Sequence, residues 1–444
     1  MLHDTERWQG INSATYLFIR QHADEDVRQL ALSGAKVKDI DLPFALQQIK
    51  GQQTARRKLP AWAANEAVVF PPHLSMEQCS SEQTARYKAL LVERLLSTPA
   101  GGSEATALFS LVDLTGGFGV DFFFMAQAAG GKAVYAERQE ELCAIARHNF
   151  RVLGLENAVV HNETGERVLE QLQAADIIYL DPARRDSHGS RTYAISDCTP
   201  NVLMLLDQLL RKARFVILKL SPMLDWHKAV ADLEDAAPAG SSVCEVHVVA
   251  TGNECKELLL VLSRERNLQG KLVCMNDEER FTTPLELSSE TASMEVGGEA
   301  LHTLSSQYLY EPNAAIMKAG CFAALAKQYG CRALSPNSHI FVSSTELSGF
   351  PGRCFRIVRA CTLNKKEVRQ ALQGIGQANV AVRNFPMKAE ELRRRLKLRD
   401  GGDTYLFGTT LVDNSHILLI CSRPTSGHPV TMAWSCDDQP LVTL

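Results

Sequence analysis

A glycine-rich run between two carboxylates is the first place in this 444-residue sequence where the residue types suggest ligand chemistry. The run Val112-Asp-Leu-Thr-Gly-Gly-Phe-Gly-Val-Asp121 follows a short apolar stretch and precedes a helical pattern. A glycine turn between a strand and a helix lets the backbone approach a ligand and points helix N–H groups at it. Asp113 would repel a phosphate, and a dinucleotide-binding turn would need a third glycine where Phe122 stands. The run therefore favours a cofactor with a charged amino group over a pyrophosphate.

Polar residues also end the next two apolar runs of the sequence. Glu137 follows the run 133–136, and Asn162 follows the run 158–161. A carboxylate at a strand tip can accept hydrogen bonds from both hydroxyls of a ribose. Asn162 could contact an adenine ring from the neighbouring strand tip. These two positions predict a cofactor that contains a ribose and an adenine.

The order of glycine turn, acidic strand end and polar strand end resembles that of class I S-adenosylmethionine-dependent methyltransferases. The resemblance implies S-adenosylmethionine as the cofactor, with Asp113 near its ammonium group and Glu137 on its ribose. Gly117 and Gly119 would admit the methionine portion, and Thr115 belongs to the same predicted site. The alternative is a glycine turn that only packs a helix on a sheet.

The fourth apolar run ends in Tyr179-Leu-Asp-Pro-Ala-Arg-Arg185, which resembles the first half of the Asp/Asn-Pro-Pro-aromatic motif of nucleic-acid methyltransferases. An exocyclic amine attacks poorly because its lone pair is delocalised into the ring. A carboxylate and the carbonyl beside it can accept both N–H bonds and favour a more nucleophilic geometry, while proline fixes φ. We therefore predict Asp181 and Pro182 as catalytic residues. Arg184 and Arg185 are predicted substrate contacts, since arginine can stack on a base or bind phosphate.

This motif also has a second chemical role and a purely structural one. Uridine C5-methyltransferases carry a related Asp-Pro-Pro-Arg sequence, but they need a cysteine nucleophile at the next strand end, where Ser221 stands. C5 chemistry is therefore disfavoured. The structural alternative is that Asp181 is a loop carboxylate paired with Arg184 or Arg185.

The elements that must position these residues follow from the hydrophobic pattern. Between about 105 and 264, short β-rich runs alternate with helical stretches, and the last two runs are joined too closely for a helical crossover. This pattern predicts an α/β fold with a doubly wound, mostly parallel sheet that has one antiparallel strand. The resemblance to class I methyltransferases implies that this sheet is their Rossmann-like core of seven strands. Helical spacing up to about 95 predicts a helical N-terminal region, and alternating elements beyond 353 predict a small α+β unit. The predicted core strands are 108–112, 133–136, 158–161, 177–180, 215–220, 244–250 and 258–262.

Five segments together resemble a narrower bacterial group of methyltransferases that carry a ferredoxin-like segment and a THUMP-like domain after the catalytic core. The segments are 71–88, the turn 113–121, 181–185, 253–257 and 310–318. The resemblance implies that Gln83 and Thr84, on the helix before the turn, touch the methionine end of the cofactor, although a helix cap explains Thr84 equally well. The resulting domains are a helical N-terminal domain (1–95), a methyltransferase domain (96–265), a ferredoxin-like segment with its connection (266–352), a THUMP-like RNA-binding domain (353–423) and a tail (424–444).

The charge is distributed unevenly along the chain. The formal net charge is −4, yet residues 353–399 hold thirteen Lys or Arg against three Asp or Glu, a net of +10, which leaves −14 for the rest. Such a cluster is typical of a polyanion-binding site, and its few aromatics favour backbone contacts over base stacking. We therefore predict RNA as the partner, with Arg393, Arg394 and Lys397 among the substrate contacts. A solvated helix face is the alternative for part of the cluster.

Several classes of protein are disfavoured by what the sequence lacks. The start has no basic segment followed by an apolar core, no apolar run approaches the roughly 20 residues of a membrane helix, and the twelve cysteines include no CxxC pair. No HExxH or HxxxH spacing supports a metal site. We predict a cytoplasmic protein with no metal and no membrane contact.

Together these features predict an S-adenosylmethionine-dependent methyltransferase that acts on rRNA or tRNA at a base nitrogen. Guanine N2 is the predicted example, because the turn 113–117 resembles the Asp-x-Thr-x-Gly turn of a ribosomal-RNA guanine-N2 methyltransferase. The alternatives are a non-catalytic RNA-binding protein with a vestigial methyltransferase fold and a small-molecule methyltransferase. A nicotinamide oxidoreductase is weakened by Phe122 and by the Asp-Pro-Ala-Arg sequence.

Overall fold

The computed structural model of the chain describes residues 12–34, 39–97, 109–184, 195–265, 269–288 and 301–424. Contacts between residues divide these into two units. The first unit takes the described parts of 1–246 and 257–269, and the second those of 247–256 and 270–444.

Helices form the N-terminal part of the first unit, as the sequence predicts. Four of them begin at a side chain that caps a backbone N–H: Asn12 accepts from Thr15, Asp26 from Gln29, Asp41 from Phe44, and Ser81 from Thr84. The helices are α1 (Ser13–Gln21), α2 (Val27–Gly34), α3 (Leu42–Lys58), α4 (Pro60–Ala63), α5 (His73–Gln78) and α6 (Glu82–Leu96).

Alternating strands and helices follow in the first unit. The elements are β1 (Phe109–Asp113), α7 (Val120–Ala129), β2 (Ala133–Ala136), α8 (Glu140–Val152), β3 (Ala158–His161), α9 (Gly165–Gln171), β4 (Ala175–Leu180), the short pair β5 (Ala183–Arg184) and β6 (Cys198–Thr199), α10 (Val202–Lys212), β7 (Ala213–Leu220), α11 (Trp226–Ala236), β8 (Ser242–Thr251) and β9 (Glu254–Ser263). The buried helix α7 explains why Phe122 stands where a dinucleotide-binding turn has its third glycine. Its ring packs against Tyr135 and Phe150, with centroids 5.4 and 5.1 Å away.

The sheet of this unit has the order β8-β9-β7-β4-β1-β2-β3. Pairs β1–β2, β1–β4, β2–β3 and β4–β7 are parallel, and β9 is antiparallel to β7. This is the predicted core with its single reversal. Because these five parallel strands end at one edge, the residues that follow β1, β2, β3 and β4 lie along that edge with the end of β7.

The sheet contains nine strands instead of the predicted seven. Strands β10 (Lys271–Asn276) and β11 (Glu279–Pro284) form a hairpin in the second unit, and β10 lies beside β8, whose residues 247–251 belong to that same unit. The N–H of Asp277 donates to the carbonyl of Ala250, 3.1 Å away. The two added strands are only six residues each and lie next to a polar stretch, so the sequence pattern did not reveal them.

A second sheet lies in the second unit. After α12 (Leu285–Ser288), the elements of this unit are β12 (Tyr308–Pro312), α13 (Ala314–Ala319), α14 (Phe322–Tyr329), β13 (Arg332–Ala333), β14 (Phe341–Ser343), β15 (Gly352–Thr362), α15 (Lys365–Ala371), β16 (Asn379–Arg383), α16 (Ala389–Leu396), β17 (Tyr405–Thr410) and β18 (His416–Ser422). The strand order is β13-β14-β12-β15-β18-β17-β16. Apolar residues cover both faces, and the helices α15 and α16 contribute to one of the two layers. The elements from β15 to β18 form the α+β unit predicted beyond residue 353, and β12, β13 and β14 extend its sheet.

Candidate active site

The glycine turn between β1 and α7 has a backbone that only glycine adopts easily. Gly117 and Gly119 have φ of 58° and 86°, and Gly119 caps α7 without any side-chain hydrogen bond. A Cβ on Gly116 would lie 2.1 Å from the ring of Tyr135, whereas a Cβ on Gly117 would meet nothing nearer than the carbonyl of Thr115 at 3.9 Å. The turn is therefore packed on one side and open at Gly117, which fits a ligand laid against its backbone.

The predicted ribose and adenine residues lie beside this turn. One carboxylate oxygen of Glu137 accepts from the N–H of Gly117 at 3.0 Å, and the other accepts from the N–H of Gln139 at 2.8 Å. The side-chain amide of Asn162 donates to the carbonyls of Glu137 and Arg138, both at 3.1 Å. The structure thus brings Gly117, Glu137 and Asn162 together at adjacent strand tips.

Asp113 is 1% exposed and turns toward its own loop. Its Oδ1 accepts from the N–H of Thr115 at 2.8 Å and from the Thr115 hydroxyl at 3.3 Å. Burial raises the pKa of Asp113 to about 8, against the hydrogen bond from Thr115. The same hydroxyl accepts from the N–H of Asp181 at 2.6 Å. Thr115 therefore ties the glycine turn to the loop that carries the predicted catalytic residue.

The two residues predicted on α6 lie in different environments. Thr84 is buried, its N–H donates to the N-cap Ser81, and its hydroxyl donates to the Ser81 carbonyl at 3.2 Å. Gln83 is exposed. The helix cap, which is the alternative role for Thr84, is therefore present.

Asp181 follows β4 and has a lysine on its carboxylate. The register of β4 and β7 sets Leu180 opposite Leu218, so Lys219 lies beside Asp181, and its Nζ donates to Asp181 Oδ2 at 2.7 Å. The Asp181 side chain is 41% exposed and that of Lys219 is 13% exposed, while Pro182 is buried. Among the described residues, the ion-pair partner of Asp181 is thus Lys219.

Lys219 is part of a larger group of charges that we call the lysine cluster: Lys88, Asp121, Asp181, Lys219 and Glu257. Lys88 is fully buried, and its Nζ donates to both oxygens of Glu257 at 2.6 and 2.7 Å and lies 3.1 Å from Asp121 Oδ1. Lys219 lies 3.4 Å from Asp121 Oδ2. Asp121 thus stands between two ammonium groups, and of the five charged side chains that of Asp181 is the most exposed.

Two hydroxyls complete the hydrogen bonding inside the lysine cluster. Ser80 and Tyr179 each donate to Asp121 Oδ2 at 2.8 Å. The Ser80 oxygen accepts from Lys219 at 3.0 Å and from Lys88 at 3.3 Å. Buried charges persist only when they are paired and hydrogen-bonded in this way.

Opposite charges in the cluster favour the ionised forms of Asp121 and Lys219 despite burial. Burial opposes the charge of Asp121, but Lys88 and Lys219, with the hydrogen bonds from Ser80 and Tyr179, hold its pKa well below the usual range. Burial also opposes the charge of Lys219, but Asp181, Asp121 and Glu257 raise its pKa well above the usual value. For Glu257, burial is the stronger effect and raises the pKa, against the pull of Lys88 and Lys219.

Lys88 and Lys219 are not among the site residues that the sequence motifs predict. Both carry a signal: Lys219 interrupts the apolar strand Phe-Val-Ile-Leu-Lys-Leu, and Lys88 lies on the apolar face of α6 with Ala85, Val92 and Leu95. A lysine at a position that the pattern reserves for the core must be paired. The partners, however, come from β9 and α7, and only the fold reveals them.

The predicted substrate residues of the catalytic loop are described only in part. The backbone of Arg184 lies in β5 and pairs with Cys198 in β6. The side chain of Arg184 and the whole of Arg185 lie outside the described residues.

In the second unit, the basic segment (353–399) contains some cations in ion pairs and others that are exposed to solvent. Arg353 donates to Glu311 Oε2, with Nε at 2.9 Å, and Arg383 forms an ion pair with Glu311 Oε1 at 2.6 Å. Arg393, a predicted substrate contact, lies 2.6 Å from Asp400. The exposed cations are Arg356, Arg359, Lys365, Lys366, Arg369, Lys388, Arg394, Arg395, Lys397 and Arg399. Of these ten, Arg356 donates to the Tyr308 hydroxyl at 3.2 Å and Arg359 to the carbonyl of Ala371 at 2.8 Å. The solvated-face alternative therefore concerns the other eight, and Arg353 and Arg383 serve the fold.

Among the described residues, no group of three or more His, Cys, Asp or Glu is arranged to hold a metal ion. Within the same ranges, no helix combines the length and the apolar character that crossing a membrane requires.

Comparisons with known proteins place this chain in a family. The model of a THUMP domain-like family matches residues 352–423, and that of a ferredoxin-like domain matches 308–351. The chain is 24% identical over 356 residues to an "uncharacterized S-adenosylmethionine-dependent methyltransferase" of Mycobacterium tuberculosis, which covers 79% of this chain and 88% of that protein. The crystal structure of a "putative methyltransferase" from Porphyromonas gingivalis W83 superposes with a TM-score of 0.76 at 31% identity, over 92% of this chain and 97% of the other.

The structure adds a detail to these matches. Strand β12, in the ferredoxin-like segment, pairs with β15, in the THUMP-like segment, so both matched segments share one sheet. With the glycine turn, the strand order and the relatives in agreement, the chain belongs to the class I S-adenosylmethionine-dependent methyltransferases that carry a ferredoxin-like and a THUMP-like segment after the catalytic sheet.

Proposed function

We propose that this methyltransferase acts on RNA, with Asp181 as the residue that orients the acceptor. The observation that carries the proposal is the contact between Thr115 and the N–H of Asp181 at 2.6 Å. It fixes an exposed carboxylate beside the turn against which the cofactor would lie. S-adenosylmethionine supplies a methyl group on a positively charged sulfur.

The residues around the turn take the following proposed roles toward the cofactor. Glu137 binds the ribose hydroxyls, and Asn162 lies near the adenine. Gly117 and Gly119 give room for the methionine portion, which Asp113 meets at its ammonium group. The open side of Gly117 and the position of Glu137 on its N–H support this arrangement.

The second unit supports RNA as the substrate. Its THUMP-like segment belongs to a class of domain that accompanies RNA-modifying enzymes, and its exposed cations suit a phosphate backbone. Arg394 and Lys397, at the end of α16, are the proposed contacts that the structure leaves exposed. The proposal includes a cytoplasmic location, in keeping with the eleven described cysteines, which are free thiols.

The Asp181-Pro182 motif by itself favours a base nitrogen such as guanine N2 as the acceptor. The carboxylate and the adjacent carbonyl can accept both N–H bonds of an exocyclic amine, which then attacks the methyl group in line. The ammonium of Lys219 on the same carboxylate is a feature that this motif does not explain.

The test uses the full chain, S-adenosylmethionine with a tritiated methyl group, and RNA from cells that lack the gene. We expect tritium in the RNA, and Asp181→Ala should lower the rate at least about 10³-fold while calorimetry shows unchanged cofactor binding. Asp235→Ala, an exposed position on α11, is the matched control and should keep full activity.

Three results would contradict parts of the proposal. Lost cofactor binding in Asp181→Ala would move Asp181 from the acceptor site to the cofactor site. Full activity of that variant would remove Asp181 from the reaction. Unlabelled RNA together with labelled small molecules from the same cells would favour the small-molecule methyltransferase.

A further inference from the structure

The acceptor site holds a cation where an attacking nitrogen would become positive. An amine that attacks a methyl group gains positive charge before it loses a proton, and an ammonium beside it opposes that charge. A hydroxyl behaves in the opposite way, since its oxygen becomes a good nucleophile as it loses its proton and turns negative. A fixed ammonium stabilises that developing charge.

Lys219 lies close enough to Asp181 to contact an acceptor group that binds to this carboxylate. Its Nζ lies 2.7 Å from Asp181 Oδ2, 3.0 Å from Ser80 and 3.4 Å from Asp121. The contact with Asp121 is the longest, and Asp121 keeps its bonds to Ser80, Tyr179 and Lys88 without it. An acceptor oxygen on Asp181 can therefore take the third hydrogen bond of Lys219 at little cost.

The rest of the lysine cluster keeps Lys219 charged and in place. Lys88 is neutralised by Glu257 and by Asp121, so a second ammonium is held behind Asp121 at 3.1 Å. Asp181 is left as the exposed carboxylate of the cluster, with one oxygen on Lys219 and the other not bonded to it. A site with one exposed carboxylate and one fixed ammonium offers a proton acceptor and an oxyanion partner side by side.

We infer that the acceptor is a hydroxyl group, with Asp181 as its base and Lys219 as the residue that stabilises the oxygen. The inference rests on the proposed RNA substrate, and the internal hydroxyls of an RNA chain are the ribose 2′-hydroxyls. In the step, the hydroxyl O–H bond breaks and its proton passes to Asp181. The oxygen forms the new O–C bond with the methyl group, and the electron pair of the broken C–S bond stays on the sulfur.

Product analysis with the unmodified chain tests this inference directly. RNA from cells that lack the gene is incubated with the full chain and S-adenosylmethionine whose methyl group is deuterated, and nucleosides are then analysed by mass spectrometry. We expect deuterium on the ribose fragment and resistance to alkaline cleavage on the 3′ side of the modified nucleotide. Deuterium on a base would overturn the hydroxyl inference and leave the RNA proposal intact. RNA without deuterium would overturn both.

The role of Lys219 has its own test, because the two acceptors predict opposite responses. For a hydroxyl, Lys219→Met should lower kcat about 10²–10³-fold with cofactor affinity unchanged within about twofold, and Lys219→Arg should recover part of the rate. For a base nitrogen, loss of the cation should leave kcat unchanged or raise it, and this result would overturn the inference.

A matched control separates chemistry from folding in that series. Lys228→Met removes an exposed lysine of α11 that pairs with Asp232, and it should leave kcat unchanged. Thermal unfolding and cofactor calorimetry check that each variant is folded. If Lys219→Met does not fold, the product analysis still decides the question, because it uses the unmodified chain.

Discussion

Each unit of the molecule buries a carboxylate between two cations. The two groups of charges differ in whether they continue to a solvent-exposed side chain. In the second unit, Glu311 is 3% exposed and each of its oxygens faces one arginine, Arg353 or Arg383. In the first unit, Asp121 lies between Lys88 and Lys219, but the charges continue to a carboxylate that is 41% exposed.

This difference distinguishes a structural group of ion pairs from a candidate ligand-binding site. The Glu311 group closes on itself, and burial, which would raise the pKa of Glu311, is outweighed by Arg383 and Arg353, so the pKa is lowered. The lysine cluster instead ends at Asp181, beside the glycine turn. The Glu311 group joins strands β12, β15 and β16, whereas the proposed role of the lysine cluster is to present Asp181 and Lys219 to a ligand.

The largest expected effect comes from Lys88→Met in the first unit. Removal of the ammonium leaves Glu257 and one side of Asp121 buried without a cation, and breaking a buried pair in this way costs about 3–5 kcal/mol. Urea unfolding of the full chain measures the loss. The double variant Lys88→Met/Glu257→Gln should recover part of it, because it removes the unpaired charge as well. A single variant as stable as the parent would show that Lys88 is not needed as a cation.

A smaller effect is expected for Glu311→Gln in the second unit. The two arginines it pairs with are each 21% exposed and can reach water, so we expect a loss of about 2 kcal/mol. At saturating substrate, kcat should stay the same, since the proposed acceptor and cofactor residues do not include Glu311 or its two arginines. Glu391→Gln, an exposed position on α16, is the control and should change neither quantity. A fall in kcat without a fall in stability would show that the Glu311 group affects the reaction and is not only structural.

The elements that carry the site are easier to predict from the amino-acid sequence than the contacts inside it. Strand ends are visible in the hydrophobic pattern, so the pattern alone places Asp113, Glu137 and Asp181 along one edge of the sheet. The pairing of Lys88 with Glu257 joins residues 169 apart, and that of Arg353 with Glu311 joins residues 42 apart. Such pairings depend on which helix packs on which strand, and no local spacing encodes them.

Asp113 is another buried carboxyl, and no cation lowers its pKa. Burial raises its pKa to about 8, so it is largely protonated at pH 7 in the free protein. If it meets the ammonium of the cofactor, it must ionise, and binding at pH 7 should release about one proton. Affinity should rise by up to about tenfold per pH unit toward pH 8 and then level off.

Calorimetry in two buffers of different ionisation enthalpy counts the protons released. Asp113→Asn is the control, since it separates this proton from any released by the amino group of the cofactor itself. The same release in Asp113→Asn, or none in the parent, would leave Asp113 as a neutral structural group bonded to Thr115.

The smallest effect is expected from the exposed cations of α16, which differ from Arg353 and Arg383 in having solvent around them. Arg394→Gln and Lys397→Gln should each weaken RNA binding almost equally for all sequences and reduce the log–log salt slope by about 0.7 on single-stranded RNA. Filter binding at several salt concentrations measures the slope, with Lys50→Gln, an exposed lysine of α3, as the control. Since counterion release depends on charges that contact phosphate, an unchanged slope in both α16 variants would mean that these residues are only solvated. RNA recognition would then have to rest on other exposed cations of the same sheet unit, of which Lys365 and Arg369 on α15 are the next to substitute.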